Sequence, residues 1–553
     1  MRRRNLPAVG FWAALLALSL LSAAGIAQSP SPLAPSAISA APSPLADLIR
    51  QGSQLESEGR WGEAMSFYEE AIRRFPDDRG LERRFELTRL HYDVGRRYGD
   101  RSFLDLLGRV TLDQTLDLYQ EVLVKIQSHY VEAPDYKALV ERGDNDLEVA
   151  LSEPAFLRAQ APEADARAVE ACRAELRRVL GTQLVQTRSD ARDAVALAAG
   201  LVQQRLGIAP NAVALEFVCG AANALDVYSS YLTPSQLNDV YSQIEGNFVG
   251  LGVELKADNG ALLIVRVIGG SPASLSGIRP GDRIIAVDGR STASYSTDQA
   301  ANLLQGPEGS VVRLAVAGPG EEPRQVDVRR QRVEVPSVDE VRLADPAAGV
   351  AYLRLTCFQK TTSRDLDAAL WDLHRQGMRS LVMDLRGNPG GLLVTAVDVA
   401  DKFLEQGVIV STHGRNLQED FTYSAHESGT WRVPLVVLID RDSASAAEIF
   451  AGAIRDHRRG TIVGARSYGK GSVQGIFPLG LANAGLRLTT AKFYSPNGRP
   501  YAGVGVEPDI AVRLAARPVD GQIAPASPAS PAAADPMLEA ALQAARQLVV
   551  AQR

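Results

Sequence analysis

Cysteine, histidine and excess charge of one sign are all scarce in this 553-residue chain. It has 3 cysteines and 6 histidines, and its 59 Lys and Arg side chains against 65 Asp and Glu give a net charge of -6. Cys172, Cys219 and Cys357 form no C-x-x-C pair, so we expect no metal site, no dithiol redox motif and at most one disulfide. Without a long basic run, nucleic-acid binding is disfavoured. No cofactor is implied.

Long apolar runs are also absent, except at the N-terminus. Three arginines at 2–4 precede a mostly apolar run over 6–24, and the small residues Gly25 and Ala27 follow it. This order is typical of an export signal, so residues 1–27 are predicted to be a signal peptide. An uncleaved membrane anchor is the alternative, although the run is short for a full span. We therefore expect an exported protein of the periplasm or cell envelope, tethered to the membrane only if the signal is uncleaved.

The N-terminal third of the chain is predicted to be mostly helical. Residues 28–46 are rich in Ser, Pro and Ala and are predicted to be a disordered leader. The next segment has small and aromatic residues at the intervals that let two antiparallel helices interlock, namely Gly59, Trp61, Ala64, Tyr68, Ala71, Ile72 and Pro76. This pattern resembles one tetratricopeptide repeat, and we predict such a hairpin over 47–100. An ordinary helical hairpin is an equal alternative.

Helical spacing continues beyond this hairpin. It predicts helices at about 80–98 and 113–128 and a helical domain over 101–242, which ends in the segment Asp226-Val227-Tyr228-Ser229-Ser230. The sequence leaves three roles open for these helices: binding an adaptor or other partner, gating a site, or self-association into a homo-oligomer.

Between 243 and 333 the pattern changes to short β runs separated by Gly and Pro turns. The turns comprise Gly250-Leu251-Gly252-Val253, Ser271-Pro272-Ala273 and Gly277-Ile278-Arg279-Pro280-Gly281-Asp282. They resemble a PDZ domain, in which a glycine-rich loop presents backbone N–H groups to a peptide's terminal carboxylate and the peptide adds as a strand to a sheet edge. The resemblance places peptide binding on Gly250, Leu251, Gly252 and Val253. A small β domain used only for docking is the alternative.

After Glu334 strands alternate with helices, which is typical of an α/β layer structure. Strands are predicted at 349–358, 380–385 and 435–440, and helices at 363–376, at 391–405 and from about Ser445. We predict this domain over 334–514, followed by a Pro/Ala/Ser linker over 515–535 and a closing helix over 536–553. The expected fold class is therefore multidomain α+β.

Three segments of this last domain carry chemistry. Residues 384–391, DLRGNPGG, form a turn that can aim backbone N–H groups at a developing oxyanion. Residues 442–449, DSASAAEI, leave a serine at a helix N-terminus, where helix capping is the ordinary explanation for Ser443 and Ser445. Residues 467–474, SYGKGSVQ, flank a lysine with two glycines, and an amine removed from water can act as a general base.

In this order the three segments resemble the carboxy-terminal processing peptidases, also called tail-specific proteases, a family of Ser/Lys endopeptidases. The resemblance makes Ser445 the nucleophile and Lys470 the base, and the N–H groups of Gly390 and Ala446 form the oxyanion site. It also implies that Gln474 holds the amine in place, since it lies four residues past Lys470, a helical or turn spacing. Glu448 and Asp456 also match family positions and are placed as supports. The family's catalytic domain is similar to the crotonase fold, and its substrates are proteins with unstructured C-termini.

Three rival hypotheses remain. A Ser-His-Asp triad with His457 is disfavoured, because 12 residues of helix would separate it from Ser445 by about 18 Å. A non-catalytic scaffold would use the PDZ groove and the repeat surface to bind protein tails. An enzyme of the crotonase type would act on thioesters, which the PDZ pattern argues against.

Overall fold

The computed structural model describes residues 44–161, 165–223, 225–258, 261–293, 303–481, 483–512 and 535–551. The predicted signal peptide, the predicted leader up to residue 43 and the predicted linker up to residue 534 lie outside these ranges. The chain divides into two compact units at Glu82.

The first unit contains a pair of helices, α1 (Pro44–Ser57) and α2 (Trp61–Arg74). Gly59 between them has a φ of 68°, which a residue without a Cβ adopts easily. A Cβ at Gly52 would lie 2.3 Å from the Tyr68 ring, so the two helices pack closely where the sequence predicted interlocking. Helix α1 begins at Pro44, inside the predicted leader. Proline is tolerated there because the first turn of a helix needs no N–H donor from it. That the pair is a tetratricopeptide repeat stays a prediction.

The second unit begins with helices, and α3 (Arg79–Gly99) crosses the boundary between the units. The following helices are α4 (Arg101–Leu107), α5 (Leu112–His129), α6 (Tyr136–Ala150), α7 (Pro154–Gln160), α8 (Ala166–Gly181), α9 (Arg188–Leu206), α10 (Pro210–Asn223) and α11 (Pro234–Glu245). Helices α3 and α5 match the helices predicted at 80–98 and 113–128. Helix α10 is apolar nearly all round and is buried from Ala212 onward, so it is the centre of this helical core.

A β domain follows the helices. Its elements are β2 (Asn247–Gly250), β3 (Val253–Asp258), β4 (Ala261–Val267), α12 (Pro272–Leu275), β5 (Arg283–Val287), β6 (Arg290–Ser291), β7 (Val311–Ala317), β8 (Arg324–Arg329) and β9 (Gln331–Glu334). The main sheet is antiparallel with the order β3-β4-β5-β7-β8, and β6 pairs with β5. Strand β2 pairs with β9, so the chain enters and leaves this domain through one two-stranded ribbon.

The last domain is an α/β structure. Its elements are β10 (Val338–Asp345), β11 (Val350–Leu355), α13 (Thr362–Arg375), β12 (Ser380–Asp384), α14 (Leu393–Asp401), β13 (Gly407–Gly414), β14 (Phe421–Ala425), β15 (Leu435–Ile439), α15 (Ala446–Asp456), β16 (Gly460–Gly464), β17 (Ser472–Pro478), β18 (Gly485–Tyr494), β19 (Ile510–Ala511) and α16 (Pro536–Ala551). The helix predicted at 391–405 is shorter than expected, since it begins only after the glycine turn and ends at Asp401.

Two sheets organise this domain. The larger has the order β10-β11-β12-β15-β16-β19 and is parallel except for β10. Helices α13, α14 and α15 cover one of its faces and α16 covers the other. Successive strand residues point to opposite faces, so both faces of the sheet are packed against helices. In the second sheet β18 pairs with β17, β13 and β1 (Ser230–Leu232), and β14 pairs with β13. Strand β1 therefore joins the end of the helical region to the α/β domain.

Candidate active site

The three chemistry-bearing segments follow three adjacent parallel strands. The segment 384–391 follows β12, 442–449 follows β15, and 467–474 follows β16. Parallel strands place their carboxyl ends at one edge of a sheet, which is where α/β domains build ligand sites. Segments spread over about 90 residues of sequence therefore meet at one edge.

Ser445 lies in a strained backbone conformation directly before α15. Its φ is 57° and its ψ is -116°, a combination that residues other than glycine rarely adopt. The neighbouring segments hold it: Ala444 N donates to the carbonyl of Asn388 at 2.9 Å, and Tyr468 N donates to the carbonyl of Ser443 at 3.0 Å. The side chain of Ser445 is partly exposed at this sharp turn.

The neighbouring Ser443 has a structural role. It is fully buried, and its hydroxyl donates to the carbonyl of Leu385 at 2.8 Å and accepts from Asp440 N at 3.0 Å. These bonds join the end of β15 to the segment after β12. The two serines of the motif therefore differ in environment.

Glu448 connects the serine segment to the lysine segment. Its buried carboxylate accepts from the Ser467 hydroxyl at 2.6 Å and Gly469 N at 2.7 Å on one oxygen. The other oxygen accepts from Ser445 N at 2.8 Å and Lys470 N at 2.9 Å. Burial raises the pKa of the Glu448 carboxyl, and the four donors oppose that rise. The main chains of Ser445 and Lys470 thus meet at one oxygen atom.

Lys470 is largely removed from water. Burial, and to a smaller extent the nearby positive charge of Arg487, lower the pKa of its amine from 10.5 to about 8. The Nζ atom lies 4.9 Å from the centre of the Tyr228 ring. Within the described residues, no hydrogen bond joins this amine to the Ser445 hydroxyl. The glycines beside Lys470 are required by packing, since a Cβ at Gly471 would lie 2.2 Å from Ala502 N.

The glycine turn after β12 lies against Ser445. Gly390 has a φ of 102°, and a Cβ there would lie 2.7 Å from the Ser445 Cβ and 2.9 Å from Ala446 N. The predicted donor on Gly390 is occupied, however, because its N–H donates to Asn388 Oδ1 at 2.8 Å. In this conformation the Gly390 N–H is therefore not available to an oxyanion, and its predicted role in the oxyanion site stays a prediction. The N–H of Ala446 has no acceptor among the described residues.

Gln474 is placed differently from the sequence prediction. The expected turn or helical spacing from Lys470 is wrong, because Gln474 lies in the extended strand β17. Its amide nitrogen donates to the carbonyl and to the hydroxyl of Ser472, at 3.0 and 2.9 Å. A direct role in catalysis stays a prediction. Asp456, expected to be a support, accepts from the Ser495 hydroxyl at 2.7 Å.

Sequence reasoning missed two neighbours of Lys470 that come from elsewhere in the chain. Tyr228 lies before β1 in a turn fixed by the Asp226 carboxylate, which accepts from the main-chain nitrogens of Tyr228 and Ser229 at 2.8 and 2.6 Å. Arg487 lies on β18 and donates to the Ser230 hydroxyl at 3.1 Å. The segment that closes the helical region was noted in the sequence, but nothing local linked it to the lysine.

His457 lies at the opposite end of α15 from Ser445. Helix α15 runs from Ala446 to Asp456, and the His457 Nε2 atom lies 2.7 Å from the carbonyl of Val408. The structure therefore offers no support for a triad with His457.

The predicted peptide-binding segment lies at the edge of the β domain. Strand β3, which Val253 begins, is the edge strand of its sheet. The Leu251 side chain is buried in the domain core, so only its main chain is available to a ligand. No described residue accepts from the N–H groups of Leu251 or Gly252. Gly252 has a φ of 80°, and a Cβ there would lie 2.3 Å from the Ser271 Cβ.

The described residues also bear on metal binding and on membrane insertion. No group of three or more His, Cys, Asp or Glu side chains within the described residues is placed to hold a metal ion. None of the described helices combines the length and apolar character needed to cross a bilayer.

Comparison with known proteins gives two family matches. Residues 349–512 match the model of peptidase family S41, and residues 263–318 match that of the PDZ domain. A carboxy-terminal-processing protease of Bartonella bacilliformis is 39% identical over 299 residues, which cover 53% of this chain and 68% of that protein. A carboxyl-terminal-processing protease of Synechocystis is 36% identical over 287 residues, covering 51% of this chain and 66% of that protein.

A solved structure titled photosystem II D1 C-terminal processing protease is 26% identical, with a TM-score of 0.38, and covers 72% of this chain and 93% of that one. The family predicted from the sequence and the fold class, with helical, PDZ and peptidase regions, are confirmed. The matched length and identity of the Bartonella protein, together with the S41 and PDZ matches, place this chain in the family of carboxy-terminal-processing proteases, and the chain belongs to it.

Proposed function

We propose that this protein is an exported serine endopeptidase of the periplasm or cell envelope that binds the C-terminal tails of proteins through its PDZ domain and hydrolyses peptide bonds with Ser445 and Lys470. The observation that carries the proposal is the Glu448 oxygen that accepts from the main chains of both residues. It joins the strained turn of Ser445 to the main chain of Lys470, whose amine has a pKa of about 8. This pairing suits a nucleophile and its general base.

The chemistry is acyl transfer. Neutral Lys470 takes the Ser445 hydroxyl proton while the serine oxygen bonds to the scissile carbonyl carbon, giving a tetrahedral intermediate. Collapse of this intermediate breaks the C–N bond, and the proton on Lys470 passes to the leaving amine. Water then attacks the carbonyl carbon of the acyl-enzyme while Lys470 takes its proton. Collapse breaks the C–O bond to Ser445, Lys470 returns the proton to the serine oxygen, and the new carboxyl terminus is released.

Two adjustments complete the site. The Lys470 amine turns from the Tyr228 ring to the Ser445 hydroxyl. The unoccupied N–H of Ala446 at the start of α15 stabilises the oxyanion, and Gly390 N–H joins it only after leaving Asn388 Oδ1. Binding of a substrate chain along the site supplies the free energy for these changes.

Substrate capture uses the edge of the PDZ sheet. A protein tail adds as a strand to β3, and its terminal carboxylate accepts from the free N–H groups of Leu251 and Gly252. Only an unstructured C-terminus can take this extended form. The substrates are therefore proteins with unstructured tails, and no cofactor is required by these steps.

The pH dependence of cleavage tests the lysine base. Only the neutral amine accepts a proton, so kcat/KM should rise as the pH increases through about 8. A rate that is flat or falls over this range would contradict a lysine base.

Variants test the assignment directly. The substrate is an unfolded protein with an apolar C-terminus, and the products are identified by mass. Ser445→Ala and Lys470→Ala should each abolish cleavage, whereas His457→Ala should keep most of it. Tail binding by the wild type without any cleavage would leave the scaffold hypothesis in its place.

A further inference from the structure

The closing helix α16 lies directly behind the candidate site. It begins beyond residue 512, where the S41 match ends. Its buried residues Met537, Ala541 and Ala545 pack in one cluster with Val382 of β12 and Leu438 of β15. This cluster lies on the face of the sheet opposite the one that α13, α14 and α15 cover. Strands β12 and β15 are those from which the glycine turn and the serine turn emerge. The helix therefore supports the part of the sheet that carries both turns.

The N-terminal end of α16 is joined to the glycine turn by a charge pair. Arg386 Nη1 donates to both carboxylate oxygens of Asp535, at 3.0 and 2.7 Å. The same guanidinium donates to Asp384 through Nε and Nη2, the latter at 2.6 Å. The Arg386 side chain is 20% exposed, so solvent screens these charge-assisted bonds only partly. Arg386 is thus held from two sides, and Asp535 supplies one of them.

The position of Arg386 affects the turn that follows it. The next residue, Gly387, donates through its N–H to Asp440 Oδ1 at 2.9 Å. Asn388 then donates to the carbonyl of Leu355 at 2.7 Å, accepts from Gly390 N, and accepts from Ala444 N through its carbonyl. A continuous set of contacts therefore leads from Asp535 to the residue before Ser445.

We propose that Asp535 is a positioning residue for the glycine turn, acting through Arg386, so that the N-terminal end of the closing helix supports the geometry of the candidate site. The inference rests on the proposed function, since the turn acts in the chemistry only if Ser445 is the nucleophile. Asp535 touches no reacting atom. Its effect is to fix where the Gly390 backbone lies relative to Ser445, and a displacement of about 1 Å at such a site can change a rate by about 100-fold.

The same helix offers a matched control. Near its other end Arg546 Nε donates to Asp345 Oδ2 of β10 at 2.7 Å. Asp535→Asn and Arg546→Gln each remove one ion pair at α16. The first keeps the side-chain size, and the second shortens a side chain that is about half exposed. Leu538 N donates a hydrogen bond to Asp535 Oδ1 at 3.1 Å, and asparagine keeps an oxygen that can accept it. A purely structural role of the helix predicts equal effects of the two variants.

Hydrogen exchange gives a readout that does not depend on activity. In the full-length protein, Asp535→Asn should raise amide exchange in 387–391 by about fivefold or more, and Arg546→Gln should leave it unchanged. Equal exchange in both variants, or no change in either, would overturn the inference. If the wild type cleaves no substrate, the proposed function fails, while this comparison still decides whether Asp535 positions the turn.

Kinetics give the second readout. Asp535→Asn should lower kcat by about 5- to 10-fold with KM within about twofold, and Asp535→Glu should recover a large part of kcat. Arg546→Gln should keep kcat near the wild-type value. A loss confined to KM, or the same loss of kcat in Arg546→Gln, would contradict a positioning role.

Discussion

The active-site region and the helical region each bury a carboxylate, and they stabilise it in different ways. Glu448 accepts four hydrogen bonds, three from main-chain N–H groups and one from a hydroxyl. Asp146 on α6 instead shares the Arg97 guanidinium of α3 with Glu216 of α10, at 2.8 and 2.6 Å. Its Oδ1 atom has no hydrogen-bond partner among the described residues.

The difference shows two uses of a buried acid. Main-chain donors have fixed positions, so a carboxylate that satisfies three of them, together with one hydroxyl, fixes the geometry of two loops. One guanidinium opposite two carboxylates joins three helices but leaves a surplus negative charge, which burial makes costly. We therefore expect Glu448 to control activity, and the Arg97 cluster (Arg97, Asp146 and Glu216) to control stability and its pH dependence.

The largest expected effect separates the two regions by activity. Glu448→Gln leaves one oxygen's donors facing an NH₂ group, so the two loops move apart and kcat should fall by about 100-fold. Glu216→Gln in the Arg97 cluster should lower the melting temperature but keep kcat within about twofold of wild type. Peptide cleavage and thermal unfolding of both variants check this. Similar losses of kcat in the two would remove the distinction.

The next effect concerns stability. Arg97→Met leaves Asp146 and Glu216 buried without a counter-ion, and the free energy of unfolding should fall by about 3–5 kcal/mol in urea titrations. Arg205→Met removes an exposed ion pair with Glu175 of the same helical region and should cause a much smaller change. An equally small change for Arg97→Met would mean that the cluster is not what holds the three helices.

The smallest effect is a change in pH dependence. Burial raises the pKa of Asp146 to about 7, so its contribution to stability is present at acid pH and is lost as the pH rises through about 7. Asp146→Asn should therefore flatten the fall in stability between about pH 4 and 7, measured by urea unfolding at each pH. Asp117→Asn on the exposed side of α5 should keep the wild-type slope. A variant Asp146→Asn with the wild-type slope would assign the titration to another group.

The features predicted well from the sequence are those that local pattern decides. Glycines that permit positive φ, strand ends and a serine before a helix identified the three segments around Asn388, Ser445 and Lys470. The order of parallel strands then brings these segments together. The family assignment depended on the same local patterns.

The features missed from the sequence depend on contacts between distant residues. Tyr228 reaches Lys470 only because β1 pairs with β18, and Asp535 reaches Arg386 only because α16 folds back over the sheet. The spacing between Lys470 and Gln474 was misjudged, because residues four apart are neighbours on a helix or turn but are well separated along an extended strand. The use of Gly390 N–H by Asn388 is different, because it is the local hydrogen bond of an Asx turn, which the sequence analysis did not consider.

The strained backbone conformation of Ser445 relates the stability of this protein to its proposed activity. A side chain at φ 57° and ψ -116° costs about 1–3 kcal/mol relative to an ordinary conformation. Glycine would relieve that cost, so Ser445→Gly should make an inactive protein that is harder to unfold than the active one. Selection for stability alone would favour glycine at this position, so a serine here is in keeping with its proposed role as the nucleophile.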